Sequence, residues 1–143
     1  MSDRKIPVIL QARMSSKRLP GKVLRVKGKP MLEWQILRLQ RCRLIEQTVV
    51  ATSNDPSDDA IFEFCKTKKI DCHRGSLENV ASRFADMIRQ RSLDAFIRVS
   101  GDSPLLDPKL LDSCVKVFNS AMKIFKFSFQ KLLKLFLIFS MKP

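Results

Sequence analysis

Short apolar runs that alternate with stretches of helical periodicity constrain the fold of this chain more than any other feature. The first run, IPVIL at residues 6–10, is continuous, as expected of a strand that is covered on both faces. The pattern predicts strands at 6–10, 48–52, 70–73 and 95–99, and helices at 31–44, 57–69, 78–91 and 108–118. Such alternation is typical of a three-layer α/β fold, in which a mainly parallel sheet carries helices on both faces.

This fold class predicts where function should lie before any motif is considered. In parallel α/β sheets, ligands bind beyond the carboxyl ends of the strands. Those ends lead here into loops that begin at Gln11, Ser53, Arg74 and Ser100. Three of the four glycines fall in these loops, where backbone without a Cβ can approach a ligand closely.

The charge distribution indicates an anionic ligand. The formal net charge is +13, and the segment from Arg4 to Lys29 contains neither an acidic nor an aromatic residue. Binding of single-stranded nucleic acid usually needs stacking rings among the cations, so a compact polyphosphate fits this segment better. A solvated basic surface and a small basic nucleic-acid-binding protein remain the alternatives that charge alone supports. Five of the lysines lie after residue 120, which weakens the nucleic-acid alternative, and we expect no nucleic-acid partner.

The cysteine and histidine content excludes several kinds of site. The four cysteines have no CxxC spacing, and His73 is the sole histidine, which excludes most zinc patterns and any catalytic triad that uses several histidines. Buried free thiols in a reducing compartment are the expected state. The amino-terminal residues lack the pattern of an export signal, so we expect a cytoplasmic protein.

Three segments of the chain lie at the carboxyl ends of predicted strands: QARMSSKRLPGK at residues 11–22, RGSLENVASRF at residues 74–84 and RVSGDSPLLDP at residues 98–108. Together they resemble the signatures of the sugar cytidylyltransferases. Their order is that of the family, which activates neuraminate, 3-deoxy-manno-octulosonate and related acids. The match is closest to the spore-coat-polysaccharide branch and covers roughly residues 5 to 118. It implies a Rossmann-like nucleotide-diphospho-sugar transferase fold, C-terminally truncated here relative to the longer family members.

The resemblance also assigns roles to individual residues. It implies that Asp102 holds Mg2+ and acts in catalysis together with Lys22 and Arg13. The nucleotide-binding residues that it implies are Ala12, Arg13, Ser16, Arg18, Lys22, Arg74 and Ser100, with Ala12 and Ser100 near the base. Ser76 is expected to cap a helix, and Arg83 is either a nucleotide contact or a solvated helix residue.

The implied reaction is attack by an anomeric hydroxyl of a sugar on the α-phosphorus of CTP, with pyrophosphate as the leaving group. Positioning and charge neutralisation dominate such transfers, so no protein nucleophile is expected. The partners are then CTP and a sugar acceptor, and full-length relatives are expected to be homodimers. Because the acceptor pocket lies in the part of the family that this chain lacks, a non-catalytic nucleotide-binding remnant is an alternative.

The residues after Ser120 differ in character from those before them. Residues 121–143 contain no acidic residue and no glycine, which predicts a nucleotide-binding domain at 1–120 and an atypical tail at 121–143. A truncated or frame-shifted end is one interpretation of the tail. A membrane-surface helix, with lysines on one face and Phe and Leu on the other, is a second one, although no membrane partner is expected.

Overall fold

The computed structural model describes residues 4–15, 21–24 and 28–140, with side chains up to residue 124. Strands and helices alternate along the whole described chain. The elements are β1 (Ile6–Gln11), α1 (Met31–Leu39), β2 (Ile45–Ser53), a 3-10 turn (Pro56–Asp58), α2 (Asp59–Thr67), β3 (Asp71–Gly75), α3 (Val80–Arg91), β4 (Ile97–Ser100) and α4 (Pro108–Ser140).

The four strands form one parallel sheet in the order β3-β2-β1-β4. The chain builds outward from β1 through β2 to β3, and then returns to place β4 on the other side of β1. At such a reversal of strand order the neighbouring loops diverge and leave a crevice at the carboxyl ends of the strands. Gln11, the last residue of β1, pairs with Ala51 of β2 and with Ser100 of β4, so that crevice opens directly above it.

Each face of the sheet packs against helices, because alternate residues of a strand point to opposite faces. On one face, Val8, Leu10 and Val50 pack against buried side chains of α1 and α2. On the other face, Ile9, Val49 and Ala51 pack against Phe84 and Met87 of α3. Complete burial of each such side chain contributes about 1.5–3 kcal/mol. The predicted three-layer α/β fold is therefore confirmed.

Several predicted boundaries were wrong, and hydrogen bonds explain two of the differences. Helix α1 ends at Leu39 rather than at residue 44, because the backbone N–H groups of Arg43 and Leu44 donate to the Asp112 carboxylate at 2.9–3.0 Å. The second helix begins at Asp59 rather than at Ser57, because the Asp55 side chain caps a separate 3-10 turn. The cysteines also differ from expectation, since Cys42 and Cys65 are buried whereas Cys114 is exposed.

The last helix is much longer than the predicted 108–118. Asp107 caps its start by accepting a hydrogen bond from the Lys109 N–H at 2.8 Å. The helix then continues to Ser140, since residues 119–140 contain neither glycine nor proline to interrupt it. None of the described helices is both long and apolar enough to cross a membrane.

Candidate nucleotide site

The main cleft lies at the carboxyl ends of β1 and β4, at the point where the strand order reverses. It has a volume of about 880 Å³. Five residues that the sequence predicted for the site line this cleft: Ala12, Arg13, Lys22, Ser100 and Asp102. Because the first three of these residues are at least 78 positions from the last two in sequence, the parallel pairing of β1 with β4 is what brings the five residues together.

A close backbone approach shapes the floor of the cleft. The Gly101 N–H donates to the Gln11 carbonyl at 2.7 Å, and the Ala12 N–H donates to the Ala51 carbonyl at 3.0 Å. A Cβ at position 101 would lie 2.7 Å from the Gln11 carbonyl oxygen, closer than such atoms can approach. Glycine is therefore required for the loop after β4 to lie against the loop after β1.

Three polar side chains form a connected group at one side of the cleft. The Lys22 ammonium donates to Asp102 Oδ2 at 2.8 Å, and the Ser100 hydroxyl donates to Asp102 Oδ1 at 2.5 Å. The Lys22 ammonium and then the Ser100 hydroxyl lower the pKa of Asp102 to about 2. Asp102 is thus ionised at neutral pH and presents a carboxylate beside a cation and a hydroxyl.

Replacing Lys22 by methionine is expected to raise the pKa of Asp102 from about 2 toward its ordinary 3.8, because the strongest donor to the carboxylate is lost. A folded-state pKa below the unfolded value stabilises the fold above that unfolded value, and this stabilisation is lost as the pH falls through about 2. In the Lys22→Met variant this stabilisation should be smaller, because the folded-state pKa lies closer to the unfolded one. A 13C NMR titration of the Asp102 carboxyl carbon measures the shift, and Lys66→Met, at an exposed lysine elsewhere, is the control. An Asp102 pKa that is the same in all three proteins would contradict the assignment.

A buried aspartate, Asp58, holds the first loop in place. Its side chain is fully buried, and its carboxylate accepts hydrogen bonds from the Met14 N–H at 2.7 Å, from the Ser53 N–H at 3.1 Å and from the Ser53 hydroxyl. Asp58 therefore joins the loop after β1 to the end of β2. The sequence assigned Asp58 no role in the site.

Arg83 and Ser76 organise the second loop segment in a way that the sequence did not predict. Arg83 is completely buried, and its guanidinium donates to the Ser76 carbonyl at 3.0 and 2.5 Å. It is thus not solvated, and it braces the loop at residues 76–79, part of which lines the cleft; its Nη1 has no hydrogen-bond partner among the described residues. The side chain that caps α3 is Asn79, which accepts from the Ser82 N–H, whereas Ser76 accepts from the Asn79 N–H.

Arg74 lies outside the cleft lining. Its guanidinium donates to the Ser53 and Asp55 carbonyls at 2.8 and 3.2 Å, pairs with the Asp59 carboxylate at 2.7 Å and stacks over the ring of Phe62. These contacts tie the end of β3 to the start of α2. The structure therefore does not bring Arg74 together with the other predicted residues. Ser16 and Arg18, the two remaining predicted residues, lie outside the described residues.

Arg98 and Gln11 also line the cleft, and the sequence assigned a role to neither side chain. Arg98 donates twice to Gln11 Oε1, from Nε at 3.1 Å and from Nη2 at 2.7 Å. The pairing of β1 with β4 places the two side chains side by side, although 87 positions separate them in sequence. The arginine that opens the third motif was the available clue to this contact.

The donor set fits one kind of metal site. Among the residues that the structure describes, no cluster of three or more His, Cys, Asp or Glu side chains could hold a metal ion. Asp102 and Ser100 offer one ionised carboxylate and one hydroxyl. Mg2+ commonly keeps several waters and is bound through one or two carboxylates together with substrate phosphates. The residues therefore fit Mg2+ that is shared with a phosphate ligand, but not a metal held by the protein alone.

Comparison with known proteins identifies the family. A sequence model of the family described as cytidylyltransferase matches residues 7–134. The chain belongs to the cytidylyltransferase family. The match includes all three motifs, from the loop after β1 to the loop after β4, and it continues into α4.

Individual cytidylyltransferase relatives agree with this assignment. The spore coat polysaccharide biosynthesis protein SpsF of Bacillus subtilis is 37% identical over 113 residues, which are 76% of this chain and 47% of SpsF. A 3-deoxy-manno-octulosonate cytidylyltransferase of Geobacter sulfurreducens is 32% identical over 111 residues, 77% of this chain and 44% of the relative. Both confirm the predicted family.

Solved structures confirm the predicted fold. A cytidylyltransferase structure from Leptospira borgpetersenii superimposes with a TM-score of 0.73 and 33% identity, over 80% of this chain and 48% of the other. The shared architecture is the nucleotide-diphospho-sugar transferase fold. The chain spans about half the length of the relatives that it matches.

Proposed function

We propose that this chain forms the nucleotide-binding part of an enzyme that transfers CMP from CTP to an acidic sugar of the octulosonate or nonulosonate type, for cell-surface polysaccharide biosynthesis. The proposal extends the family assignment to a donor, an acceptor and a pathway class. It is supported by relatives named as a 3-deoxy-manno-octulosonate cytidylyltransferase and as a spore coat polysaccharide biosynthesis protein. Since CTP is the proposed donor, the proposed location is the cytoplasm.

The group formed by Lys22, Asp102 and Ser100 carries this proposal. It lies at the reversal of strand order, where a parallel α/β sheet binds its ligands, and it combines a cation with a carboxylate of low pKa. A triphosphate needs cations that offset its charge. A carboxylate that stays ionised beside it suits a shared divalent ion.

The residues of the chain would act by positioning and by charge. Lys22, released from Asp102, would donate to the β- and γ-phosphates, and Arg13 would add a second cation from the loop after β1. The backbone at Ala12 and the Ser100 side chain would lie against the cytosine. Asp102, with support from Ser100, would hold Mg2+, which supplies charge neutralisation at the α-phosphate when it is bound. No covalent intermediate on the protein is required.

The competing hypothesis is a nucleotide-binding module without turnover. The chain matches about half the length of its relatives, so the similarity bears on the nucleotide site rather than on the acceptor reaction. This hypothesis shares the nucleotide site with the enzyme and differs only in the acceptor reaction. Binding and turnover must therefore be measured separately.

Calorimetric titration of the purified chain with CTP, UTP and ATP, with and without Mg2+, tests the proposal. We expect selective binding of CTP that is stronger with Mg2+. Replacing Asp102 by asparagine is expected to weaken the Mg2+-dependent binding by about tenfold, because a charged ligand to the metal is lost. The control variant is Asp94→Asn, since that carboxylate is 81% exposed and its partner is Arg4, away from the cleft.

Each outcome separates the hypotheses. Selective CTP binding with release of pyrophosphate in the presence of an acidic sugar supports the enzyme, whereas binding without turnover supports the module. Equal affinity for all three nucleotides, or equal loss in the Asp102 and Asp94 variants, would contradict the proposed site.

A further inference from the structure

We propose that Arg98, held by Gln11, forms an oxyanion-binding subsite in the cleft, separate from the group of Lys22, Asp102 and Ser100. This proposal rests on the proposed function in so far as the cleft binds a phosphorylated or carboxylated ligand. The ligand chemistry is an oxyanion with two or more oxygens, either a phosphate of the nucleotide or the carboxylate of an acidic acceptor.

The Arg98 guanidinium has a fixed position. Two of its nitrogens, Nε and Nη2, donate to the single amide oxygen of Gln11 at 3.1 and 2.7 Å. Its Cζ lies 5.6 Å from the centre of the Phe84 ring, which supports the guanidinium from the α3 side. An arginine that is already held loses less side-chain entropy when it binds an anion, so this arrangement favours binding.

The positive charge of Arg98 has no carboxylate partner among the described residues. Lys22 is paired with Asp102 at 2.8 Å, and Arg74 with Asp59 at 2.7 Å. Within the part of the chain that the structure describes, no carboxylate pairs with Arg98, because its partner is a neutral amide. The guanidinium therefore offers its positive charge to the cleft without a salt-bridge partner among the described residues.

Arg98 lies on the same strand and the same face of the sheet as Ser100. It lies two residues before Ser100 on β4, and both side chains point to the α3 face of the sheet. Ser100 hydrogen-bonds to Asp102, which is the residue proposed to hold Mg2+. The subsite therefore lies beside this metal site, close enough for one extended substrate to contact both Arg98 and the metal. A planar guanidinium matches the paired oxygens of a carboxylate or a phosphate, and this geometry is the reason for choosing an oxyanion over a neutral sugar group.

Replacing Arg98 by glutamine tests the subsite, with inorganic pyrophosphate, CTP, cytidine and 3-deoxy-manno-octulosonate as calorimetric probes. If the oxyanion is a phosphate, affinity for pyrophosphate and CTP should fall roughly tenfold while affinity for cytidine is unchanged. If it is a carboxylate, affinity for the sugar acid should fall by a similar factor while pyrophosphate binding is retained. Arg41→Gln removes the same charge from an exposed residue outside the cleft and should change neither.

A second variant changes the charge next to Arg98 but hardly changes the size of the neighbouring side chain. Gln11→Glu keeps the guanidinium but pairs it with a carboxylate, and we expect the same loss of oxyanion affinity as in Arg98→Gln. Thermal unfolding of each variant shows that the fold is retained, as expected for the exposed side chain of Arg98.

The proposal is overturned if Arg98→Gln binds every probe as the unchanged protein does, if Gln11→Glu retains full oxyanion affinity, or if the unchanged protein binds neither pyrophosphate nor the sugar acid. The pyrophosphate and sugar-acid titrations do not depend on base selectivity. A chain that fails to prefer CTP can therefore still confirm the subsite, and the two proposals fail by different observations.

Discussion

Replacing Asp58 by alanine is expected to lower the free energy of unfolding by about 3–5 kcal/mol, the largest effect of any polar substitution proposed for this chain. The carboxylate is fully buried and accepts hydrogen bonds from the N–H groups of Met14 and Ser53 and from the Ser53 hydroxyl. Removing it leaves these donors without a partner in the protein interior, where each unsatisfied group costs about 1–3 kcal/mol. Urea denaturation followed by circular dichroism measures the change.

The neighbouring Asp59 provides a matched control for this prediction. Asp59 is 59% exposed, and it pairs with Arg74 at 2.7 Å. Because exposed ion pairs contribute about 0–1 kcal/mol, Asp59→Ala should lower stability by no more than that. Similar losses in the two variants would show that Asp58 is not the buried connection between the loop after β1 and the end of β2.

Replacing Gly101 by alanine is expected to destabilise the fold by about 1–3 kcal/mol and to weaken nucleotide binding at the same time. The added methyl group would lie 2.7 Å from the Gln11 carbonyl oxygen and 3.2 Å from the Cα and Cβ of Ala12. Two of these three atoms are backbone, which cannot move aside as a flexible side chain can. The loops after β1 and β4 must therefore separate, and the hydrogen bond from the Gly101 N–H to Gln11 must lengthen.

Thermal unfolding and CTP titration of the same sample measure the two consequences of the Gly101 substitution. Ser103→Ala is the control, since this residue lies in the same loop and its exposed side chain adds no atom to the contact with β1. We expect Ser103→Ala to behave as the unchanged protein in both measurements. Full stability together with full CTP affinity in Gly101→Ala would mean that the close approach of the two loops does not shape the site.

The elements that the sequence predicted correctly share a simple physical basis. A continuous apolar run such as residues 6–10 can be stable only where both faces are covered, and this requirement predicts β1 and the layered architecture. Asp102 and Lys22 were candidates because of the family motifs, and the structure places their side chains 2.8 Å apart. The family motifs added the roles, which the CTP titrations test.

The residues that the sequence missed depend on burial and on pairing across the sheet. Asp58 and Asp59 are adjacent and chemically identical, yet one is fully buried and the other is exposed, and no periodicity distinguishes them. Arg83 has a sequence context typical of a solvated helix, but the tertiary structure buries its guanidinium against the carbonyl of Ser76. The Asp58 carboxylate is satisfied in part by the Met14 N–H, 44 positions away, and that partner is not visible in the local sequence. The partners of Arg83 are carbonyls only six and seven positions earlier, so what the sequence did not show is the burial of its side chain.

The sequence by itself determined the type and the order of the secondary-structure elements, and it identified the loops in which a ligand should bind. Both results follow because hydrophobic periodicity and strand ends are local properties of the chain. Only the tertiary structure decided that β4 lies beside β1 rather than beyond β3. That placement brings Lys22 to Asp102, and Gln11 to Arg98, across 80 and 87 positions of sequence. The physical reason is that strand order depends on which apolar surfaces pack best once the helices are in place, and this is a property of the whole chain.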